Sequence, residues 1–562
     1  MNIPDDTDDL SGLDPNEAMK LNSHYLRGTI LESIADPVTG AMHSDDSKLI
    51  RYHGTYQQDD RDLREERRKQ KLEPLYEFML RVRAPGGVAT PRQWLAMDEL
   101  TRKYGSGTLR LTSRQTFQVH CISKEDLAPS IRAVNASLLD TIATSGDVNR
   151  NVVCSSSPLI PGQHAAVVYW AKTLSDHLLP KTNAYHELWL GADPVDPSTE
   201  HEPLYGRRYL PRKFKIAIAV PPINDVDVFK DDLGFVAIFA DERLVGFNVS
   251  VGGGLSTTQG DATTFPRLAD VIGFIAPEQA IAVAEQVIAV QRDLGNRASR
   301  SHARLKYTID RIGIGAFKAE LERRLGFQLT PTRSYRFDET SDRFGWTDAG
   351  DGLLHLCLYL RAGRVANTDE SRLLDGMRAI ATIHDGEFRL TSNQNLVIAN
   401  VRSGNRAAIQ ALVDRYGLDG YARFRRFRLD ALSCVALPTC PLAMAEAERY
   451  FPHLLEEVEG LLERHGLEDA PLLFRISGCP NSCSRSYLGE IGLVGRAIGR
   501  YDLRLGADSR GERLNVVHRE NVGELELLDE LDQLFRRYAG ERHNGEGFGD
   551  FVCRSGIVPH GK

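Results

Sequence analysis

The feature that most constrains the fold of this 562-residue chain is an internal repeat. The segment LRLTSRQ at 109–115 recurs as FRLTSNQ at 388–394. Three weaker matches keep the same order along the chain, and they pair 80–84 with 358–362, 213–216 with 473–476, and 233–236 with 491–494. Matches that keep one order predict a duplicated unit of nearly half the chain. Two such halves, packed about a pseudo-two-fold axis, would create one central cleft.

The apolar pattern predicts a mixture of strands and helices. Short alternating or apolar runs predict strands at 78–83, 108–112, 213–220, 245–251, 355–360 and 473–477. Apolar residues at helical spacing predict helices at 277–294, 442–464 and 523–541. Pro and Gly clusters predict loops at 85–87, 158–162, 221–222 and 252–254.

The overall charge and hydropathy exclude several classes of protein. The formal net charge is −8 and the pI is about 6.1, which argues against non-specific nucleic-acid binding. No apolar run approaches the roughly 18 residues that a membrane span needs. The start, MNIPDDTDDLSG, is acidic and polar, so we expect no secretory signal and a cytoplasmic protein.

Cysteine spacing predicts a metal cofactor. Cys121, Cys154, Cys357 and Cys553 are isolated, and ordinary thiols explain them best. The clustered cysteines are Cys434, Cys440, Cys479 and Cys483. Their C-x5-C and C-x3-C spacings are wider than the usual zinc knuckles, whereas a cubane iron–sulfur cluster needs four thiolates that irregular spacing can supply. An iron–sulfur cluster is favoured, with zinc and unliganded thiols as the alternatives.

The repeat alignment predicts that cations face these thiols. Arg150 and the pair Lys213 and Lys215 fall about where the second half places its cysteine pairs. One copy would therefore contribute cations and the other thiolates across the cleft. Cationic side chains near a redox cluster indicate an anionic substrate or an anionic cofactor.

At these residues the chain resembles the sirohaem-dependent nitrite and sulfite reductases. The resemblance rests on SCVALPTCPLAMAEAER and SGCPNSCSR around the cysteines. YLRGTI, YQQDDRDLREER, YLPRKFK, VGFNVSVGGGLS and GEGFGDF indicate one branch, the haemoprotein (beta) components of NADPH-dependent assimilatory sulfite reductases. The resemblance implies a [4Fe–4S] cluster on all four clustered cysteines, coupled to a sirohaem whose axial ligand is Cys483.

The implied reaction is the six-electron reduction of sulfite to sulfide, in sulfate assimilation and cysteine biosynthesis. Four residues match the pattern that the family uses to bind substrate, namely Arg83, Arg150, Lys213 and Lys215. Guanidinium groups suit binding of an oxyanion, and ammonium groups suit both binding and proton transfer. Nitrite-reducing relatives typically carry Asn at the position of Lys215, so a ferredoxin-dependent sirohaem nitrite reductase, which makes ammonia, is the alternative.

Sirohaem carries eight peripheral carboxylates, so its pocket needs many cations and amides. The predicted cationic contacts are Arg110, Arg114, Arg297 and Lys306. The predicted neutral contacts are Thr112, Gln394 and Asn395. The Gly252-Gly253-Gly254 run would allow backbone to approach the macrocycle, although a plain turn explains it nearly as well.

No nicotinamide or flavin site is apparent in the sequence. There is no G-x-G-x-x-G opening a helix, and Gly313-Ile-Gly315 lacks the third glycine. Electrons must then come from another protein, which the resemblance implies is a diflavin flavoprotein, the alpha component, that takes hydride from NADPH. The mixed-charge run at 59–69 is a candidate docking surface, although a solvated helix face also explains it.

Duplication and resemblance together predict an α+β protein with the internally duplicated sulfite/nitrite reductase fold, in which three domains surround the sirohaem and the cluster. The predicted boundaries are 1–74 for an N-terminal partner-docking segment, 75–143 and 345–425 for two ferredoxin-like half-domains, 144–344 for a first catalytic domain with the cations, and 426–562 for a second catalytic domain with the clustered cysteines.

Overall fold

The computed structural model describes residues 10–157, 159 and 162–560. The acidic start at 1–9 and part of the predicted loop at 158–162 lie outside these described residues. No helix in the described part of the chain is long and apolar enough to cross a membrane.

The strands of the described residues are numbered in chain order. They are β1 (Thr55–Asp59), β2 (Tyr76–Val82), β3 (Val88–Ala89), β4 (Leu109–Leu111), β5 (Phe117–Ile122), β6 (Val153–Cys154), β7 (Ile216–Ala219), β8 (Leu233–Ala240), β9 (Arg243–Val251), β10 (Asp270–Ile275), β11 (Gly345–Gly350), β12 (Leu353–Leu358), β13 (Arg364–Val365), β14 (Glu387–Leu390), β15 (Leu396–Arg402), β16 (Leu432–Ser433), β17 (Phe474–Ser477), β18 (Ile491–Ala497), β19 (Arg500–Leu505) and β20 (Val516–Val522).

The α-helices are numbered in the same way. They are α1 (Pro15–Leu21), α2 (Ile30–Ala35), α3 (Asp46–Leu49), α4 (Arg64–Lys69), α5 (Pro91–Tyr104), α6 (Leu127–Ala136), α7 (Gln163–His177), α8 (Ala280–Leu294), α9 (Leu305–Ile312), α10 (Ile314–Leu325), α11 (Leu373–Ile383), α12 (Arg406–Tyr416), α13 (Gly420–Arg423), α14 (Arg426–Asp430), α15 (Phe451–Arg464), α16 (Glu524–Glu541) and α17 (Phe548–Arg554).

Each strand predicted from the apolar pattern overlaps an observed one, namely β2, β4, β7, β9, β12 or β17. Two of the three helices, α8 and α16, are also where the pattern predicts them, with a 3₁₀ turn at Pro277–Gln279 before α8. The prediction for 442–464 is wrong over its first nine residues, since α15 begins only at Phe451.

Two five-stranded sheets contain the repeated hairpins. Their strand orders are β1-β2-β5-β4-β13 and β11-β12-β15-β14-β3, and every pairing is antiparallel. Strand β13, from the second copy, pairs with β4 of the first, while β3, from the first copy, pairs with β14 of the second. Because each copy supplies an edge strand to the sheet of the other, the two half-units are held together by backbone hydrogen bonds.

The other two sheets also form a matched pair. Their orders are β10-β9-β8-β7-β6 and β16-β17-β18-β19-β20. In both sheets the first three strands in chain order pair in parallel and the last two pairings are antiparallel. Strands β7 and β17 are buried along their whole length, as strands in the interior of a covered sheet are. The domain boundaries stay a prediction.

Strand register corrects one part of the repeat alignment. Ile216 pairs with Leu233, whereas the residue that pairs with Ile491 is Phe474. If Leu233 and Ile491 correspond, Ile216 therefore corresponds to Phe474 and not to Ile476. The sequence alignment of this strand is wrong by two residues. A shift of two leaves every side chain on the same face, so apolar matching could not detect it.

The same register overturns the expectation that cations occupy the positions of the cysteines. Arg150 lies before β6, and Lys213 and Lys215 lie before β7, whereas Cys434 follows β16 and Cys479 follows β17. The two sets therefore lie at opposite ends of equivalent strands.

Several residues of the described part of the N-terminal segment belong to the core. Leu26, Ile30, Ile50 and Tyr52 are buried in the largest apolar cluster. Strand β1 is hydrogen-bonded to β2 along its whole length. In contrast, no residue of α4 is buried. Residues 60–74 contain no buried side chain, and this stretch includes most of the mixed-charge run.

Candidate functional site

Two loops at one sheet edge carry the clustered cysteines. Strands β16 and β17 are parallel neighbours, so their carboxyl ends meet at the same edge. Cys434 directly follows β16, and Cys479 lies two residues after the end of β17. Cys440 and Cys483 lie further along the same two loops. The fold thus brings both cysteine pairs together, as the spacing argument requires.

The four thiols are close enough to affect one another's ionisation. Burial raises the pKa of Cys434 well above its usual range, and Cys483, Cys479 and Cys440 add to this effect. Burial and the neighbouring Cys483 also raise the pKa of Cys479, to about 12. A metal centre, which binds thiolates, would reverse these shifts by supplying positive charge.

The loops also provide donors to sulfur. The Gly478 N–H donates to Cys434 Sγ over 3.3 Å, and Asn481 Nδ2 donates to Cys479 Sγ over 3.6 Å. Such N–H···S bonds favour the thiolate form. Within the described residues, no three His, Cys, Asp or Glu side chains converge as ligands of a single ion would. The C-x5-C and C-x3-C spacings, which are wider than those of zinc knuckles, therefore remain the reason to favour a cluster over zinc.

Cys483 differs from the other three in its exposure. Its side chain is exposed, whereas Cys479 is buried and Cys434 and Cys440 are half-buried. The carbonyl of Cys483 accepts a hydrogen bond of 2.9 Å from Ser113 Oγ, in the first copy of the repeated hairpin. The exposed thiol thus lies where the two halves of the molecule meet, and it is free to ligate a second group.

Unpaired cations lie on the other side of this junction. Arg81, Arg150, Lys213 and Lys215 have no ion pair within 4.0 Å among the described residues. Their neighbours are paired, since Arg114 binds Asp231 over 2.6 Å, and Arg304 binds Asp232 over 2.8 Å. Leaving four cations without carboxylates is costly unless an anion completes the site.

The lysines of this group titrate abnormally. Burial holds the pKa of Lys213 well below its usual range, and the charges of Arg212 and Lys215 act in the same direction. Burial also lowers the pKa of Lys215, to about 7, although Asp231 opposes the shift. Both lysines would therefore release a proton more easily than exposed lysines, and a bound anion would raise both pKa values.

Arg81 and Arg150 enclose Tyr56. The Arg81 guanidinium lies 5.2 Å from the centre of the Tyr56 ring. Burial acts to raise the pKa of Tyr56, but the charges of Arg150 and Arg81 outweigh it and lower the pKa to about 7. Arg150 itself is held by the carbonyl of Gly146, at 2.9 Å from Nε and 2.7 Å from Nη2. Tyr56 therefore joins Lys215 as an ionisable group of this site with a pKa near neutrality.

The structure does not bring Arg83 to this group of cations. Its guanidinium donates to both carboxylate oxygens of Asp140, at 2.9 and 2.6 Å, and to Asp176 at 2.7 Å. Arg83 is 8% exposed, so its charge is buried and neutralised. Arg81, two residues earlier, lies where Arg83 was expected.

Most of the predicted cationic contacts of sirohaem are engaged by the chain itself. Lys306 donates to the carbonyls of Gly254 at 3.0 Å, Ser256 at 2.8 Å and Phe265, which uses all three of its N–H groups. Arg297 binds Glu17 at 2.5 Å and the carbonyl of Tyr209 at 2.7 Å. Both residues are therefore engaged by the chain itself, and Lys306 holds the 254–256 segment, whose neighbour Thr257 donates to the carbonyl of Pro480 in the second cysteine loop at 3.1 Å.

The remaining predicted cations lie closer to the junction. Arg110 is paired with Glu448 and lies near enough to Cys434 for the thiolate to affect its pKa. Arg114 donates to the carbonyl of Ile216 at 2.7 Å as well as to Asp231. Arg110 thus supports the cysteine loop, while Arg114 lies between Cys483 and the unpaired lysines.

The predicted neutral contacts are divided in the same way. The Thr112 and Thr116 hydroxyls share a hydrogen bond of 2.6 Å, and Asn395 Nδ2 donates to Asp342 over 2.8 Å. Gln394, in contrast, has a buried side-chain oxygen without a partner. Other buried polar atoms without partners are Asn149 Oδ1, Asn151 Oδ1, Arg475 Nε and Arg485 Nε. Such atoms also occur elsewhere in the described residues, for example Trp94 Nε1 and Trp189 Nε1, so they do not by themselves define a ligand site.

The predicted glycine run has a structural role of its own. A Cβ on Gly253 would lie 2.2 Å from the carbonyl oxygen of Phe229 and 2.5 Å from that of Asp231. Close packing against the chain's own backbone therefore accounts for Gly253.

The mixed-charge run contacts the cysteine loop. Arg61 Nη1 donates to the carbonyl of Cys440 at 3.2 Å and to that of Ala443 at 2.6 Å. Asp62 is paired with Arg449, beyond the same loop. Leu442, two residues after Cys440, is 62% exposed. The exposed α4 and an exposed apolar side chain thus lie beside the thiols.

Sequence reasoning missed two residues of the site. Arg81 lies in β2, and Arg83 follows the end of that strand two residues later. Only their partners in space distinguish the two arginines. Tyr56 is the first residue of the run YQQDDRDLREER, which is part of the family resemblance. That position was the one indication in the sequence that Tyr56 could belong to the site.

Comparison with family models supports the duplication. A model described as the nitrite/sulfite reductase ferredoxin-like half domain matches residues 70–137 and again 348–416. A model described as the nitrite and sulphite reductase 4Fe-4S domain matches residues 169–329. The second match lies in the first half, and its counterpart in the second half contains the clustered cysteines.

Full-length relatives and a solved structure resemble the whole chain. The sulfite reductase [NADPH] hemoprotein beta-component of Myxococcus xanthus is 57% identical over 97% of this chain and 96% of its own length. The protein with the same description in Bacillus subtilis is 53% identical over 96% of this chain and 95% of its own. The solved structure of the Mycobacterium tuberculosis NirA protein matches with a TM-score of 0.79 and 25% identity, and the match covers 96% of each chain.

Proposed function

The chain belongs to the nitrite and sulfite reductase family and has its internally duplicated α+β fold, and on that premise we propose that it is the haemoprotein component of an NADPH-dependent sulfite reductase. It would reduce sulfite to sulfide at a sirohaem coupled to a [4Fe–4S] cluster, in sulfate assimilation and cysteine biosynthesis. Relatives above 50% identity over nearly the full chain carry that description.

The observation that best supports this reaction is a group of unpaired cations beside an exposed cysteine. Arg81, Arg150, Lys213 and Lys215 are unpaired cations at the junction to which Cys483 presents an exposed thiol. A doubly charged oxyanion, together with a carboxylate-rich cofactor, would neutralise this charge. We therefore propose Arg81, in place of Arg83, as the fourth cation of the substrate site.

The clustered cysteines would hold the cofactors. Cys434, Cys440, Cys479 and Cys483 would bind the cubane, and the exposed Cys483 would also ligate the haem iron. When bound, the pair supplies stored electrons and an iron that binds the sulfur of the substrate.

The chain's own residues then have two roles. The guanidinium groups of Arg81 and Arg150 are permanently charged, so they bind and orient the oxyanion whatever the local pH. The ammonium groups of Lys213 and Lys215 bind the anion and also carry protons, which leaving oxygens need. Because burial places the pKa of Lys215 at about 7, its ammonium is a far stronger acid than an exposed lysine.

Electrons would come from a flavoprotein partner, the alpha component, that oxidises NADPH. The surface around Arg61, α4 and Leu442 is our candidate for its docking site, since it lies beside the Cys440 loop and offers both charge and an apolar contact. A cytoplasmic location, where thiols stay reduced, remains a prediction.

The test is a comparison of substrates on the purified, cofactor-loaded protein. We expect a chlorin-type red absorption band, and faster turnover of sulfite than of nitrite with a reduced dye as electron donor. Protein without that band would contradict the proposed cofactors. Faster turnover of nitrite would instead favour the ferredoxin-dependent nitrite reductase, which produces ammonia.

A further inference from the structure

A recess of about 140 Å³ opens beside the loop that carries Arg150. The residues that line it include Lys48, Arg51, Tyr52, Gly146, Asp147 and Arg300. A water needs roughly 10–15 Å³ on the same measure, so a small hydrated oxyanion has room to enter.

The walls of the recess carry excess positive charge. Among its lining residues, Lys48, Arg51 and Arg300 contribute three cations against the carboxylate of Asp147, and Lys48 also pairs with the exposed Asp45 at 2.9 Å. Arg300 binds both oxygens of Asp147, at 2.7 and 2.9 Å. Arg51 is exposed and has no ion pair among the described residues. Its hydrogen bond of 3.2 Å goes to the carbonyl of Ser47, which leaves its charge available to an anion.

The recess also contains an unsatisfied buried group. Tyr52 is 4% exposed, and its hydroxyl has no hydrogen-bond partner. The Tyr52 ring packs closely against Gly146, where a Cβ would lie 2.6 Å from the ring. A buried hydroxyl without a partner is uncommon in a folded protein, and an entering oxyanion or its water could accept from it.

Positively charged side chains of the recess lie close to those of the substrate site. The Arg51 guanidinium lies 5.7 Å from the centre of the Tyr56 ring, and Arg81 lies 5.2 Å from the same ring. Gly146, on the wall of the recess, accepts both hydrogen bonds that hold Arg150. The recess and the substrate site therefore meet at the Gly146 loop, and the Tyr56 ring lies between Arg51 of the recess and Arg81 of the substrate site.

We propose that this recess is the entrance for the anionic substrate, with Lys48 and Arg51 as the residues that attract it toward Arg81 and Arg150. The inference rests on the proposed function and adds an entry path to it. Cations at the mouth of a narrow site raise the rate at which an anion arrives, by roughly 10–1,000-fold at low salt, without taking part in the reaction.

The test compares a charged ligand with an uncharged one on the cofactor-loaded protein. In the double variant Lys48→Glu, Arg51→Glu, the association rate of sulfite, followed from the sirohaem absorption, should fall at least about tenfold at low salt. The loss should shrink as salt is added, because salt screens the exposed charges. Carbon monoxide, which has no charge, should bind the reduced protein at an unchanged rate. The control is Arg402→Glu, which reverses the charge of a side chain that does not line the recess and is 72% exposed. This variant should change neither rate.

The outcomes separate the entrance from the function. An unchanged sulfite rate in the double variant, or an equal loss for carbon monoxide, would overturn the entrance. Unaltered protein that binds carbon monoxide but not sulfite would overturn the proposed function and the entrance together. Thermal unfolding of the variants, compared with that of unaltered protein, checks that the exposed substitutions leave the fold intact.

Discussion

At the scale of single residues, neighbours in space decide what each cation does. Arg81 lies in β2 and Arg83 directly after its end, but only Arg83 meets carboxylates, those of Asp140 and Asp176. Its charge is consequently used to hold the fold together. Arg81 keeps its charge for the junction, where Arg150 and Tyr56 are its neighbours.

The two arginines should therefore respond differently to truncation. Arg81→Ala should weaken sulfite binding and leave thermal unfolding nearly unchanged. Arg83→Ala should lower stability, since removing one partner of a buried ion pair costs about 3–5 kcal/mol, and the half-exposed Asp176 places this case at the low end. Denaturant unfolding and sulfite titration of both variants check this. Equal losses of stability would contradict the division of roles.

Lys215 should discriminate between substrates. A second ammonium favours the more highly charged sulfite over nitrite, so Lys215→Asn should reduce sulfite turnover more than nitrite turnover. Steady-state rates with a dye donor measure both. Equal losses on the two substrates would indicate that Lys215 stabilises the site but does not determine its substrate preference.

The site should lose affinity for anions as the pH rises through about 7. Lys215 and Tyr56 both have pKa values of about 7, so above that pH one loses a positive charge and the other gains a negative charge. Calorimetric titration with sulfate should show weaker binding above pH 7 than below it, and Lys213, whose pKa burial also lowers, adds to the loss wherever it releases its proton. The double variant Tyr56→Phe, Lys215→Arg should lack this fall over the same range, and a fall of the same size there would show that other groups are responsible.

At the scale of elements, the cysteine loop shows how tertiary contacts override helix propensity. The segment Leu442–Tyr450 is rich in Ala and Glu, yet it forms turns. Met444 and Ala445 donate their N–H groups to the carbonyl of Gly478, at 2.8 and 3.1 Å. The segment therefore uses its hydrogen-bonding groups to join the two cysteine loops, and the helix begins only where these contacts end.

Gly478 should be essential to this junction of loops. A Cβ there would lie 2.6 Å from both the Ala436 side chain and the Ala445 carbonyl oxygen, so Gly478→Ala should separate the loops. We expect loss of the cluster's visible absorbance and iron content. Gly460→Ala, in α15 with open space around it, is the control and should stabilise by about 0.5–1 kcal/mol. Full iron content in Gly478→Ala would contradict this prediction, because it would show that the loops can shift to accept a Cβ and still bind the cluster.

At the scale of the whole molecule, the two halves meet through residues that the duplication relates. Asp227 and Arg485 both adopt positive φ, 48° and 61°, directly before 3₁₀ turns that occupy the same place in their sheets. They bind each other over 2.8 Å. Arg475 binds the same Asp227 oxygen at 2.8 Å. Buried charges that satisfy one another across the axis fix how the halves are oriented, and with them the position of Cys483 relative to the cations.

Deleting residues 1–60 would not isolate a docking function, because Leu26, Ile30 and β1 belong to the core. Reversing charges on the exposed α4, with Arg68→Glu and Lys69→Glu, is the better experiment. NADPH-driven turnover with the flavoprotein should fall several-fold, while dye-driven turnover stays unchanged. Arg402→Glu should alter neither activity. Unchanged NADPH-driven turnover in the α4 variant would place the docking site elsewhere.

The duplication, the six strands, the cluster of four cysteines and the family could all be predicted from the sequence, because each depends on local pattern or on motifs contiguous in the chain. The sequence also identified Arg150, Lys213 and Lys215, which the structure brings together. Only the tertiary structure decided that Arg81 and not Arg83 stays unpaired, and that Lys306 and Arg297 are engaged by the chain. The physical reason is that the role of a charged side chain depends on which opposite charges lie within a few ångströms. Those partners, such as Asp140 for Arg83, come from distant segments that no local pattern connects.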